Sequence, residues 1–221
     1  VSSIVDYAFW KCNNLISVAL PISVTSIGYG AFRDCCRLRS VTIPSSVTYV
    51  DSGVFSGCEG LITIIIPNSV TSIANYLFRN CKKLASVVIP DSVIGIGDSA
   101  FFGCSGLKLI NIPSSVTSIG DSAFSGCSGL KSVAIPNSVT NIGEKVFQEC
   151  PSLESVVIPY SVTSIGNWAF ASCRFSSIKI PSSVVSIEGN PFIECRNLEV
   201  IDVSENPNFV FVEGVLFDKE M

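Results

Sequence analysis

The sequence predicts an α/β-type repeat solenoid that is mostly β: a right-handed, curved coil with one parallel strand per 23-residue repeat and short helical turns. Three columns of identical residues support this prediction, because cysteine, proline and phenylalanine each recur at steps of 23 residues, with a single step of 22 near the C-terminus. Each repeat is therefore one supersecondary unit that buries its apolar side against the next unit.

The three columns keep the same register along almost the whole chain. The recurring cysteines are Cys12, Cys35, Cys58, Cys81, Cys104, Cys127, Cys150, Cys173 and Cys195. The recurring prolines are Pro21, Pro44, Pro67, Pro90, Pro113, Pro136, Pro159 and Pro181. The recurring phenylalanines are Phe9, Phe32, Phe55, Phe78, Phe101, Phe124, Phe147, Phe170 and Phe192. Chance does not produce such a register, so the repeat is a property of the fold.

The unit "IPSSVTSIGDSAFSGCSGLKSVA", residues 112–134, shows the elements in order. The segment "SVTSIG" is rich in β-branched residues and is expected to be extended. In "DSAFSGC", Asp121 stands at a helix-start position and Gly126 at a stop position, which predicts one short helical or 3₁₀ turn. The segment "LKSVAIP" is the predicted strand, and Pro136 ends it because proline cannot donate a ladder hydrogen bond.

The run "LITIIIP", residues 61–67, indicates which side chains face outward. Successive side chains of a strand point to opposite faces, so the recurring apolar positions Leu61, Ile64 and Ile66 point into the core. Thr63 and Ile65 then point out, and the residue before Thr63 lies at the border of the exposed face. Stacking repeats the same two outward positions in every coil.

These outward positions form the candidate protein-binding face. It comprises Ile62, Thr63, Ile65, Ser86, Val88, Leu109, Asn111, Ser132, Ala134, Ser155 and Val157. One interpretation is that β-branched residues stand there for strand propensity alone. The other is that the broken apolar strip with a polar rim binds a partner. A second candidate is a locally basic side in the first half, formed by Arg33, Arg37, Arg39, Arg79, Lys82 and Lys83.

Composition excludes several classes of function. Histidine is absent, which removes Ser–His and Cys–His nucleophile pairs and histidine zinc sites. With no phosphate-binding loop and no paired carboxylates in adjacent units, we predict no enzyme, no catalytic residue and no cofactor. Residues 1–186 hold 12 basic and 10 acidic residues, and residues 187–221 hold 2 and 8. No dense basic stripe exists, which argues against nucleic acid, and no apolar run approaches the roughly 20 residues of a membrane span.

Nine of the ten cysteines occupy one repeat position between core positions. Stacked neighbours would have parallel Cβ vectors, which suits a ladder of small buried thiols better than disulfides. One thiol per coil does not supply a tetrahedral cluster, so no metal site is expected. Cys36 lies one position later, in a column of mostly polar residues, and is expected to be exposed and free.

The pattern L-x-x-V-x-I-P-x-S-V-T-S-I-G-x-x-A-F-x-x-C resembles the BspA-like leucine-rich repeats of bacterial surfaces and some parasitic protists. The resemblance covers residues 1–203, and "NPNFVFVEGVLFDKE", residues 206–220, resembles a modified repeat of the same family. It implies a leucine-rich-repeat solenoid, a cell-surface or secreted location, and adhesion to host or microbial proteins.

The domain expectation is a solenoid of about nine units at 1–203, the first incomplete, followed by an atypical, truncated repeat segment at 204–221. "VSSI" at the start matches "VTSI" at residue 24, so we expect a fragment of a longer protein. The expected function is a non-catalytic protein-binding module of an adhesin, with extracellular matrix and host surface proteins as candidate ligands. The alternative is an intracellular leucine-rich-repeat scaffold. The chain is expected to be a monomer or to associate end to end through exposed ladder ends.

Overall fold

The computed structural model describes residues 2–212 and 215–219. Over these residues the chain is a mostly-β solenoid whose successive coils lie side by side through parallel strands. A search of the same residues finds no helix long and apolar enough to cross a bilayer. The mostly-β solenoid and its 23-residue period are as predicted, whereas the hand of the coil and its curvature stay predictions.

The strands are short and follow one another along the whole chain. In chain order they are β1 (Ser3–Ile4), β2 (Ser17–Ala19), β3 (Ser26–Ile27), β4 (Ser40–Thr42), β5 (Tyr49–Val50), β6 (Thr63–Ile65), β7 (Ser72–Ile73), β8 (Ser86–Val88), β9 (Gly95–Ile96), β10 (Leu109–Ile110), β11 (Ser118–Ile119), β12 (Ser132–Ala134), β13 (Asn141–Ile142), β14 (Ser155–Val157), β15 (Ser164–Ile165), β16 (Ser177–Lys179), β17 (Ser186–Ile187), β18 (Val200–Asp202), β19 (Phe209–Val212) and β20 (Val215–Asp218).

Each coil carries two parallel strands, so the expectation of one strand per repeat is wrong. The even-numbered strands from β2 to β18 form the principal column, in which Thr63 lies opposite Ser86. The odd-numbered strands from β1 to β17 form a second column, in which Ser72 lies opposite Gly95. The second column arises from the "SVTSIG" segments, whose β-branched residues make them extended and whose Ser-Ile pair, just before the glycine, aligns with the same position in the neighbouring coil.

The described part of the chain contains no helix, so the predicted short helical turns are also wrong. In the coil of Phe124, the amide of Ser125 donates to the carbonyl of Ser122 at 3.1 Å. The amides of Phe124 and Gly126 instead donate to carbonyls of the next coil, at 3.0 and 2.8 Å. Ser122 and Gly126 also have positive φ angles of 57° and 72°. Alternate amides are therefore used between coils, and the left-handed residues interrupt any right-handed helix.

The core is a set of ladders that run through all coils. The ring of Phe124 lies 5.3 Å from that of Phe101 and 5.6 Å from that of Phe147, within 5° of parallel in both cases. The phenylalanines from Phe32 to Phe170 in this column are fully buried. This stacked column forms the centre of the solenoid and holds the coils in register, which places the outward side chains in equally regular rows.

The C-terminal segment departs from the parallel pattern. Strands β19 and β20 pair antiparallel, with Phe209 opposite Asp218. Asn206 is buried and its side-chain amide donates to the carbonyls of Pro181 and Val184, at 2.6 and 3.0 Å. The predicted atypical segment 204–221 lies partly outside the described residues, since 213, 214, 220 and 221 are not among them.

Candidate protein-binding face

The principal column presents one buried and one exposed row of side chains. In β6, Ile64 is only 2% exposed whereas Ile65 is 66% exposed, with Thr63 exposed on the same side. Leu61 and Ile66 are buried on either side of this strand. The alternation of strand side chains thus produces the predicted inward and outward positions.

All eleven residues of the predicted face are exposed, and they lie in or beside the principal column. Register brings several of them side by side. Directly opposed pairs are Thr63 with Ser86, Ile65 with Val88, Leu109 with Ser132, Ser132 with Ser155, and Ala134 with Val157. Ile62 precedes β6, and Asn111 follows β10, where it interrupts the row between Val88 and Ala134.

The row has an apolar strip and a hydroxyl rim. Ile65, Val88, Leu109 and Val157 are 66%, 54%, 62% and 74% exposed. Beside them the hydroxyls of Thr63 and Ser86 are 3.2 Å apart and share a hydrogen bond. Exposed apolar side chains bordered by polar groups are typical of protein interaction surfaces. The structure therefore presents an interrupted apolar strip with a polar border at the positions predicted from the sequence.

The C-terminal end of the same face is charged and internally paired. Lys179 Nζ lies 2.8 Å from a carboxylate oxygen of Glu205, and the hydroxyl of Tyr160 donates to the other oxygen at 2.7 Å. The hydrogen bond between Lys179 and Glu205 raises the pKa of Lys179 and lowers the pKa of Glu205. Lys179 occupies the position of Ile65 in its own repeat, so strand alternation accounts for its outward direction. Its partners Tyr160 and Glu205 lie outside the strand pattern, 45 residues apart, and the repeat does not indicate them.

The basic side of the first half is partly neutralised by its surroundings. Lys82 Nζ lies 2.7 Å from a carboxylate oxygen of Glu59, and Arg33 Nε lies 3.8 Å from the aspartate that follows it. The guanidinium carbon of Arg79 lies 4.5 Å from the ring centroid of Phe102. The two ion pairs reduce the positive charge that a polyanion such as nucleic acid would meet, whereas the cation–π contact leaves the charge of Arg79 in place.

The cysteines form a reduced ladder, and all ten are free. Cys127 Sγ donates to the carbonyl of Phe101 in the preceding coil at 3.2 Å, and the same bond recurs along the column. Burial raises the pKa of Cys104 to about 12 and so favours the neutral thiol. In the described residues, no group of three or more histidine, cysteine, aspartate or glutamate side chains is placed to hold a metal.

Two members of the cysteine column are not buried, which corrects the expectation for that column. Cys12 is exposed and Cys195 is half-buried, whereas Cys36 is exposed as predicted. Cys12 lies between β1 and β2, and among the described residues only the coil of β3 and β4 packs against this one. Position in the repeat determines burial in the middle of a solenoid, but not at its ends.

A family model described as the BspA type leucine rich repeat region matches residues 2–131 and 117–213. The chain belongs to this family. No curated protein matches it at a significant level. Among solved structures, a leucine-rich repeat protein from Bacteroides ovatus is 30% identical with a TM-score of 0.82, over 91% of this chain and 58% of that protein.

Two further structures of bacterial leucine-rich repeat proteins are similar to this chain. A leucine rich cell surface protein from Faecalibacterium prausnitzii is 31% identical with a TM-score of 0.54, over 91% of this chain and 76% of its own. The leucine rich repeat protein of T. pallidum is 26% identical with a TM-score of 0.52, over 90% and 72% of the two chains. The BspA-type chain thus shares its fold with bacterial leucine-rich repeat proteins, and it spans 58% of the length of the Bacteroides ovatus protein.

Proposed function

We propose that this chain is a non-catalytic protein-binding module of a cell-surface or secreted protein, and that it binds through the principal sheet face. The exposed apolar strip of Ile65, Val88, Leu109 and Val157 is the observation that carries this proposal. The strip lies across the middle of the column, where contacts in an interface are most completely desolvated and contribute most to affinity.

The location rests on the relatives. The Faecalibacterium prausnitzii protein, 31% identical, is described as a leucine rich cell surface protein. An adhesin that binds extracellular matrix or host surface proteins is the role that combines this location with a protein-binding face. An intracellular scaffold would use the same face, and localisation of the full-length protein distinguishes the two.

The test compares two isoleucines of similar exposure on different columns. Ile65 is 66% exposed on the principal column, and Ile94 is 60% exposed next to β9 in the second column. A panel of purified extracellular matrix and plasma proteins is first screened by surface plasmon resonance with the wild-type chain. Ile65→Asp should then weaken binding at least about tenfold, since a central contact contributes more than roughly 1.4 kcal/mol.

Ile94→Asp is the matched control and should leave the affinity unchanged. Both variants should retain the wild-type circular dichroism spectrum, because neither side chain points into the core. A loss of binding in Ile94→Asp with full binding in Ile65→Asp would place the interaction on the second column and contradict the proposal.

A further inference from the structure

A recess borders the principal sheet face in the first half of the chain. Its volume is about 330 Å³, and it lies between coils close to the start of β6. It is lined by Ile16, Cys36, Arg37, Arg39, Gly60, Ile62 and Lys83. Ile62 also belongs to the predicted protein-binding face, so the recess and the apolar strip are parts of one continuous surface.

A glycine between two cations creates the recess. Arg37, Gly60 and Lys83 occupy the same position in three successive coils, 23 residues apart. A Cβ on Gly60 would lie 2.7 Å from the carbonyl oxygen of Cys36, so a side chain could be added there only with a shift of the local backbone. The backbone positions of Arg37 and Lys83 are about 10 Å apart, two coil spacings, with no side chain between them.

The cations around this recess lack acidic partners. Among the described residues, Arg37, Arg39 and Lys83 make no ion pair with a carboxylate. The nearby carboxylate of Glu59 pairs instead with Lys82, at 2.7 Å. Three uncompensated positive charges around one concave site raise the local concentration of anions. The recess therefore differs from the C-terminal end of the same face, where the cation Lys179 is paired with Glu205.

The border of the recess indicates what kind of anion fits. Ile16 and Ile62 are 49% and 47% exposed, so apolar surface lies directly beside the cations. A ligand with a carboxylate next to an apolar side chain complements the cations and the adjacent apolar surface. The guanidinium of Arg37 or Arg39 can bind a carboxylate in bidentate fashion. A sulfated polysaccharide would need a long basic stripe, whereas these cations are confined to one recess.

We propose that this recess receives an acidic side chain from a protein segment that lies along the principal sheet face. The proposal rests on the protein-binding function proposed above and names the chemistry of the partner: acidic residues next to apolar ones, the acidic group at the recess and the apolar groups on the strip. The partner is thereby oriented, with its acidic end toward the first coils.

Cys36 supplies a reporter inside the recess that needs no identified partner. Its thiol is exposed, and Sγ lies 3.3 Å from the carbonyl oxygen of Asp34. Cys12 is the second exposed thiol and does not line the recess. The native chain is treated with substoichiometric amounts of an anionic aromatic disulfide or of a neutral one. Mass spectrometry of the peptides then gives the labelling rate of each thiol.

We expect the ratio of anionic to neutral labelling rates to be about tenfold higher for Cys36 than for Cys12, because three cations attract the anionic reagent. The preference should disappear in 1 M salt, where the screening length is about 3 Å. Arg37→Gln and Lys83→Gln should each reduce it at least threefold, and Lys131→Gln, a charge removal two coils beyond Lys83, should not. An equal ratio at Cys36 and Cys12, or a ratio unchanged in both recess variants, would overturn the proposal.

Protection of Cys36 identifies the ligand class. A synthetic peptide with glutamates next to leucines should slow labelling of Cys36 and not of Cys12, and the same peptide with glutamine in place of glutamate should not. Equal protection by both peptides would refute recognition of an acidic group. Protection by heparin without protection by the glutamate peptide would make the recess a polysaccharide site and overturn the assignment. These results are independent of Ile65→Asp, so failure here leaves the sheet-face proposal to its own test.

Discussion

Phe124→Ala removes one ring from the stacked phenylalanine column, and we expect it to lower the free energy of unfolding by about 3–5 kcal/mol. Phe124 is fully buried between two parallel rings at 5.3 and 5.6 Å. A phenylalanine withdraws about 150–250 Å² from water, which is worth roughly 4–6 kcal/mol at about 25 cal/mol per Å². The methyl group of alanine remains buried and retains part of this free energy. The cavity left by the ring adds a further destabilisation.

The matched control is Phe102→Ala. Phe102 is only partly buried, and its ring is in contact with the guanidinium of Arg79 rather than with the core column. Its removal should cost about 1 kcal/mol or less, the size of an exposed cation–π contact. Equilibrium unfolding in urea, followed by circular dichroism, measures both variants.

Tryptophan fluorescence adds a second probe, because Trp10 and Trp168 lie in coils far apart along the solenoid. Repeat proteins can unfold in parts, so coincidence of the fluorescence and circular dichroism transitions must be shown before a single free energy is used. A loss below about 1 kcal/mol for Phe124→Ala, or a loss equal to that of Phe102→Ala, would show that the ring column does not hold the coils together.

Two further predictions concern the cysteine ladder. In the native protein a thiol reagent should label Cys12 and Cys36 quickly, Cys195 slowly, and the seven buried cysteines only after unfolding; fewer than ten free thiols in the denatured, unreduced chain would reveal disulfides. Stability should also fall above pH 9, because Cys104 has an ordinary pKa of 9.0 when unfolded but about 12 in the fold, so the unfolded chain releases its proton first. The free energy of unfolding should fall by about 1 kcal/mol per buried thiol between pH 9 and 10. In Cys104→Ala, the fall measured by urea unfolding over this interval should be smaller by that amount. An equal fall in the variant and the wild type would contradict the burial of the Cys104 thiol.

Long-range repetition explains why the candidate face could be predicted from sequence. A step of 23 residues aligns the residues equivalent to Ile65 in neighbouring coils. The alternation of side chains along a strand then determines that these residues face outward. Any one strand alone would have been ambiguous. The exposure of all eleven predicted positions follows from these two rules, while the binding role assigned to them stays a prediction.

The turns could not be predicted because alternate amides in them donate to the next coil rather than within the turn. Asp121 and Gly126 are as compatible with two consecutive turns as with the start and stop of a short helix. Which amides bond within the coil depends on the neighbouring coil, whose carbonyls accept from the others. The second strand column was missed as a strand for the same reason, since two extended residues become a strand only when they pair with the next coil.

The recess around Gly60 could not be predicted from the sequence, because the sequence does not show which cations pair with carboxylates. The sequence shows Lys82 and Lys83 as equivalent cations, and the structure separates them: Lys82 pairs with Glu59, while Lys83 lines the recess. A glycine in a repeat column marks a close approach of coils, and the site proposed here arises because its column neighbours Arg37 and Lys83 are charged and make no ion pair among the described residues.

The most direct test of the proposed binding face is photo-crosslinking from single positions to a partner identified in the binding screen. Benzoylphenylalanine is placed at Ile65, at Leu109 or at Ile94, and adducts are quantified after irradiation at equal occupancy. Adducts from Ile65 and Leu109, with none above background from Ile94, are the result predicted for binding through the principal column. Adducts from Ile94 alone, or equal yields from all three positions, would contradict it.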